Sequence, residues 1–416
     1  MTVPPPSVKP PHRPDVLREA AERFGTPLYV HFEATVRERC RALVGALDGL
    51  PTRALYALKA NATPALVRAV ADEGLGFDAV SPGELALLSA LGVPAGRVLY
   101  TATSASDAEL EGAAASGALV NLDDVERVEA FGRIAPGADV CLRFNTGIGA
   151  GHHRHVVTGG KEAKFGIPLD QTGAAADAAA RHGLRVVGLH QHAGSGIADP
   201  ADLWPAAQAL VALSGRFPDL RFVNVGGGLA IPYRPDGVPV DLGRLRTEVV
   251  ERTLDGLAAA GHAGAEVWVE PGRYVVAESG VLVARVHTLK PTADRVFAGT
   301  DSGFNQLLRP TLYDAYHALA NLSNPDGPLR TYDVVGNVCE SGDLFARQRE
   351  VQELRRGDLL AVLDAGAYGV AMASTYNLRP LPAEVVVRPD GRLDLVRPRL
   401  TADELAAAVL GGAVPG

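Results

Sequence analysis

Lys59 closes an apolar run, Arg53-Ala54-Leu55-Tyr56-Ala57-Leu58-Lys59, that reads as a β-strand over residues 53–59. A break and a helical pattern follow. At such a place a lysine would point into the mouth of a β/α barrel, where catalytic groups sit at strand ends. An amine in a desolvated mouth can give up its proton and form a Schiff base with a carbonyl. The plain alternative is a strand-end lysine whose stem packs on the protein and whose ammonium reaches water. Other runs end in residues of equal chemical interest. The second ends in Asp78, the fifth in Asn145 and the sixth in His190-Gln191-His192-Ala193-Gly194-Ser195-Gly196. The seventh ends in Gly226-Gly227-Gly228 and the eighth in Glu270-Pro271-Gly272-Arg273.

Three consecutive glycines let the backbone approach an anion closely and present N–H groups to it. Ser195 and the Gly194 and Gly196 backbone could donate to the same anion, and a phosphate suits that cradle. A tight turn explains the glycines equally. Glu270 reads either as a salt-bridged strand-end carboxylate or as the acid that keeps a heteroaromatic nitrogen protonated. His192 could stack on such a ring or be a satisfied core histidine. A flat ring with a phosphate, an aldehyde for the lysine and a nitrogen for the acid is pyridoxal 5′-phosphate. Its protonated ring is an electron sink for a carbanion.

These ends need an element that gathers them. Apolar runs at 53–59, 76–80, 97–101, 118–122, 139–144, 185–191, 221–225 and 266–270 alternate with helical stretches at 64–73, 82–91, 106–116, 123–133, 169–182, 201–216 and 241–260. Eight Val-, Leu- and Phe-rich strands separated by helices predict a parallel (β/α)8 barrel. A doubly wound open sheet is the alternative. Beyond about residue 280 strand-like runs lack regular helices between them, which predicts a second, mainly β domain. The expected division is an N-terminal segment over 1–30 whose strand (Thr26–Val30) joins the β domain, a barrel over 31–280 and the β domain over 281–416. Residues 145–168 form a long Gly- and His-rich loop of the kind that is often functional.

Composition narrows the class. The 416 residues suffice for a large core and two domains. A net charge of −8 argues against nucleic acid as a partner. No apolar run is long enough for a membrane span, and Met1-Thr2-Val3-Pro4-Pro5-Pro6 lacks the apolar core of a signal peptide, so the cytoplasm is expected. Three cysteines do not suggest a disulfide framework. Cys40 and Cys141 read as small buried hydrophobes. Gly149-Ala150-Gly151-His152-His153-Arg154-His155 tempts a metal reading, but no carboxylate or cysteine completes a set, and no metal is expected.

Together the motifs resemble the fold-type III decarboxylases that use pyridoxal phosphate, and within them the diaminopimelate decarboxylases. The segments that carry the resemblance are Tyr56-Ala57-Leu58-Lys59-Ala60-Asn61, His192-Ala193-Gly194-Ser195-Gly196, Gly226-Gly227-Gly228, Glu270-Pro271-Gly272-Arg273, Arg309-Pro310-Thr311-Leu312-Tyr313 and Cys339-Glu340-Ser341-Gly342-Asp343. They run over nearly the whole chain, to Tyr376-Asn377, and their order and spacing are specific where each alone is weak. The resemblance implies an alanine-racemase-like pairing of barrel and β domain. It implies Lys59 as the Schiff-base lysine, Glu270 at the pyridine nitrogen and His192 against the ring, with Asp78 and Gly272 in the cofactor site. Ser195, the three glycines, Arg273 and Tyr368 would surround the phosphate. It further implies a homodimer with shared sites, into which Cys339 and Glu340 are donated across the interface. Thr158 to Ile167 resembles the family's mobile stretch over the site, a candidate lid.

The implied reaction is decarboxylation of meso-2,6-diaminopimelate to L-lysine and carbon dioxide, the last step of lysine biosynthesis. The distal end of that substrate carries an ammonium and a carboxylate. Arg273 and Arg309 can pair with carboxylates in bidentate forks, Glu340 can accept from the ammonium, and Tyr313 and Tyr368 complete the expected substrate contacts. An arginine that braces the domain junction is the structural alternative for Arg309. Cys339 is the candidate proton donor to the carbanion, a task suited to a thiol. Three other readings compete: a related decarboxylase acting on D-ornithine, D-lysine or a natural-product substrate, a racemase, and a non-catalytic cofactor-binding protein. A dinucleotide oxidoreductase is disfavoured, because the glycines follow a seventh strand without the Gly-x-Gly-x-x-Gly spacing.

Overall fold

The computed structural model describes residues 9, 12–149 and 163–411. The chain divides into two compact units. One comprises residues 37–231 and 239–275; the other comprises the chain up to Val36, Pro232–Val238 and the chain from Val276 on.

The first unit is a closed parallel barrel. Its strands are β2 (Thr52–Ala57), β3 (Gly76–Ala79), β4 (Val98–Tyr100), β5 (Leu119–Leu122), β6 (Asp139–Asn145), β8 (Arg185–His190), β9 (Phe222–Gly227) and β10 (Glu266–Glu270), with a short β7 (Ile167–Pro168) beside β6. Pairing of Val120 with Val140 joins β5 to β6 and excludes the open-sheet alternative. Local signals set the intervening helices. Ser106 and Glu109 form a capping box at the head of Asp107–Ser116, and the Asp124 side chain caps Val125–Ile134. The expected first strand is too long by two residues. It stops at Ala57, whose N–H turns to the Pro271 carbonyl, and Lys59 lies in the 3-10 turn Leu58–Ala60 that follows.

Strand side chains alternate between faces, so residues two apart share one. Leu55, Leu99, Cys141, Val187, Phe222 and Trp268 pack together as an apolar layer, with the Phe222 and Trp268 rings stacked 3.6 Å apart. Two residues further along their strands, Cys141, Phe222 and Trp268 give way to Arg143, Asn224 and Glu270. Asp78 and His190 join these three, and all five are buried. The barrel interior thus changes from apolar to charged one layer below the strand ends.

The second unit is a sheet of β1 (Leu28–Phe32), β11 (Gly280–Pro291), β12 (Val296–Thr300), β13 (Leu319–Asn321), β14 (Leu329–Val335), β15 (Leu344–Gln352), β16 (Leu359–Val362), β17 (Ala383–Val387) and β18 (Leu393–Arg397). β1 lies antiparallel to β11 and parallel to β17, central in the sheet. Its alternation serves two cores: Leu28, Val30 and Phe32 enter one and Tyr29 the other. Among the described residues no helix is long and apolar enough to cross a membrane.

Candidate active site

The barrel gathers most of the expected residues at the C-terminal ends of its strands. Lys59 Nζ donates to Asp78 Oδ2 at 2.9 Å. Asp78 is fully buried, whereas the Lys59 side chain keeps 39% of its surface. The amine is therefore held by a carboxylate rather than desolvated alone. Burial raises the Asp78 pKa and the Lys59 charge opposes that rise. Asp78, expected against the cofactor, is in this arrangement a partner of Lys59, and its Oδ1 has no hydrogen-bond partner among the described residues.

Glu270 lies at the end of β10 with 5% exposure. Its Oε1 accepts from Asn224 Nδ2 at 2.8 Å and its Oε2 faces His190 Nε2 at 3.2 Å. Burial by itself would raise the Glu270 pKa; the His190 contact, then the Lys59 charge, outweigh it and hold the group below the ordinary carboxylate range. His192 Nδ1 accepts from the Gly227 N–H at 3.2 Å, and burial, followed by the Lys59 and Arg143 charges, pushes its pKa down to about 3. Its imidazole is neutral at any working pH.

The three glycines have steric reasons to be glycine. A Cβ would collide with the Gln191 carbonyl at Gly226, the Glu270 carbonyl at Gly227 and the Gly194 carbonyl at Gly228, and Gly226 and Gly228 have positive φ (74° and 104°). Their amides are not all open. The Gly226 N–H donates to Asn224 Oδ1 and that of Gly227 to His192, while that of Gly228 has no hydrogen bond among the described residues. Beside them Arg273 Nη2 donates to Ser195 Oγ at 2.9 Å. Gly272 brings the chain against Ala57 and Ala60, so its Cβ would lie 3.1 Å and 3.2 Å from theirs.

The remaining expected residues belong to the other unit. Arg309 is buried on the short helix Arg309–Tyr313, with Nη1 2.8 Å from His317 Nε2 and its guanidinium 4.7 Å from the Tyr233 ring centre. Tyr313 and Tyr368 are half-buried, and Tyr368 has a positive φ of 56°. Cys339 and Glu340 are exposed. Cys339 Sγ lies 3.4 Å from Asn377 Oδ1, and Glu340 Oε1 accepts from the Tyr376 hydroxyl at 2.7 Å. Cys40 and Cys141 are buried and burial raises both thiols, that of Cys40 to about 12. The lid stretch at 158–167 lies outside the described residues up to 162, as does the His-rich loop from Ala150 on.

The sequence does not single out two residues of the site. His190 reads only as a strand end, and Asn224 stands inside an apolar run, Phe222-Val223-Asn224-Val225. A lone amide two residues after an inward Phe is the signal that could have found it.

The family described as pyridoxal-dependent decarboxylase, pyridoxal binding domain, matches residues 33–277, and its C-terminal sheet domain matches residues 273–366. The chain belongs to the pyridoxal-dependent decarboxylases. It is 42% identical over 396 residues to a diaminopimelate decarboxylase of Methanothermobacter thermautotrophicus, covering 93% of this chain and 92% of the relative. A crystal structure of diaminopimelate decarboxylase from Helicobacter pylori complexed with L-lysine superposes with a TM-score of 0.87 at 29% identity, over 95% of this chain and 100% of that one. A lysine/ornithine decarboxylase from Vibrio vulnificus, at 24% identity and a TM-score of 0.77 over 91% of this chain and 96% of that one, shares the fold.

The side chains fit pyridoxal phosphate. An amine, a buried acid with one acceptor position open on each oxygen, and an anion corner of Ser195, Arg273 and the Gly228 amide match the aldehyde, ring nitrogen and phosphate of that molecule.

Proposed function

We propose that this decarboxylase acts on meso-2,6-diaminopimelate and releases L-lysine and carbon dioxide. The observation that carries the reading is the convergence, on one barrel, of the Lys59–Asp78 pair, the buried Glu270 and the Ser195–Arg273 pair. The names of the relatives support the choice of substrate.

Lys59 would hold the cofactor's aldehyde carbon, Glu270 its ring nitrogen, and Ser195, Arg273, Gly228 and Tyr368 its phosphate, with His192 against the ring. When bound, pyridoxal phosphate supplies an electrophilic carbon for an amino group and a ring that takes up the electron pair left by departing carbon dioxide. Asp78 keeps the Lys59 amine in place and can exchange a proton with it across 2.9 Å. The neutral His192 adds no charge beside the ring. Cys339 Sγ gives its proton to the carbon that lost the carboxylate, so one C–C bond breaks and one C–H bond forms. Arg309, fixed by His317 and Tyr233, pairs with the distal carboxylate, and Glu340 and Tyr313 bind the distal ammonium and its surroundings. Cys339 and Glu340 serve the partner's site in a cytoplasmic homodimer; their exposure on a single chain supports this.

The test is carbon dioxide release from meso-diaminopimelate, D-ornithine, D-lysine, L-ornithine, L-lysine and L-arginine under one condition. Turnover confined to diaminopimelate supports the reading. Faster release from a substrate without a distal carboxylate overturns it.

A further inference from the structure

The roles assigned above leave two buried polar side chains that touch Glu270 unused. His190 and Asn224 are 1% and 0% exposed and stand opposite each other in register on β8 and β9. Both reach Glu270, one to each carboxylate oxygen. Their orientations are fixed from behind. Asn224 Oδ1 is occupied by the Gly226 N–H at 2.9 Å, which turns its NH2 toward Glu270. His190 Nδ1 is buried with no hydrogen-bond partner among the described residues. An ionised Glu270 can only accept, so the proton on this contact sits on His190 Nε2, which donates to Glu270.

We propose that His190 and Asn224 are positioning residues that keep Glu270 ionised, so that the proton shared between Glu270 and the cofactor's ring nitrogen stays on the ring. The proposal rests on the reading that Glu270 is the ring-nitrogen partner. A carboxylate that already accepts two hydrogen bonds binds a proton less readily. Without the two donors the proton would shift to Glu270 and the ring would lose its pull on electrons. Lys59, Asp78, Arg143 and His192 also face this carboxylate, and the variants below leave all four in place.

The experiment is 15N NMR of the holoenzyme loaded with ring-15N pyridoxal phosphate at pH 7, for the wild type, His190→Phe, His190→Gln, Asn224→Asp and Glu270→Gln. The wild-type resonance should lie at the protonated-ring position. His190→Phe and Asn224→Asp should move it toward the bare nitrogen. His190→Gln, whose amide can replace the Nε2 donor, should restore it. Asn224→Asp keeps the acceptor for Gly226 and puts a carboxylate oxygen where the donor stood, so lost donation and like charge both push the proton toward Glu270; it serves if His190→Phe does not fold. In both displaced variants kcat should fall about tenfold or more while KM changes less than about threefold, the pattern of a loss felt in the transition state. If Glu270→Gln moves the resonance and neither His190→Phe nor Asn224→Asp does, the proposal is overturned and the Glu270 reading stands. If Glu270→Gln leaves the resonance at the wild-type position, the Glu270 reading itself has failed, and the proposal with it.

Discussion

The barrel mouth and the Cys339–Glu340 turn are built in opposite ways. In the mouth Asp78, His190, Asn224, Glu270 and Arg273 are all less than a tenth exposed, and each has a partner on another strand or loop. At the turn Cys339 and Glu340 are exposed, and the partners of their side chains are Asn377 and Tyr376, from another exposed stretch. Buried ionisable groups must be paired where they stand, because an unpaired one costs several kcal/mol. Exposed ones can wait for a second surface. A preorganised half and an unfinished half fit the shared site proposed above, and the contrast can be attacked from either side.

The largest effect is expected in the mouth. Lys59→Ala should lower turnover by about a thousandfold or more and abolish the visible absorbance of the bound cofactor. Retained turnover without an added amine would contradict the assignment. The turn is tested by mixing. Lys59→Ala and Cys339→Ala should each be inactive alone, yet random re-association should recover about a quarter of wild-type activity, because half the dimers carry one intact site of two. A mixture as inactive as its parents would place both residues in one chain's site. Arg309→Lys keeps the charge but loses the fork. KM for diaminopimelate should rise about tenfold or more, the worth of one charge-assisted hydrogen bond. Equal loss on substrates with and without a distal carboxylate would make Arg309 a structural brace.

How much of this was written in the sequence differs between the same two regions. The eight strands were legible because apolar runs alternate with helical patterns, some of them with a readable cap, as at Ser106 and Asp124. Their ends exposed Lys59, Glu270 and the glycines. What one run could not show was pairing between strands. Asn224 and Glu270 are 46 residues apart, His190 and Glu270 80, and they meet because β8, β9 and β10 are neighbours in the sheet. Asp78 was recognised as a site residue, but its bond to Lys59 depends on a 3-10 turn that an apolar run ending in lysine does not reveal. The glycine run shows its spacing in the sequence but not its hydrogen bonds: two of its amides are taken by Asn224 and His192.

Smaller effects come from pH. Glu270 is lowered on folding from 4.5 to about 2, so its contribution to stability is complete above its unfolded pKa and lost as pH falls through the folded one. Cofactor-free Glu270→Gln should therefore lose less stability than the wild type on acidification from about pH 4.5 to 2 in denaturant titrations. Identical acid limbs would refute the lowered value. His192 should show no titration in its imidazole resonances between pH 8 and 5, since its pKa is held at about 3. A midpoint near 6.5 would mean that its surroundings are wetter than the fold implies.

The central claim, that Lys59 is the amine that carries the cofactor, is tested most directly by borohydride reduction of the holoenzyme followed by peptide mass mapping. The chain has five lysines, Lys9, Lys59, Lys161, Lys164 and Lys290, so the answer is unambiguous. The added mass of the reduced cofactor should fall on the peptide containing Lys59 alone; its appearance on one of the other four, or on none, would contradict the account.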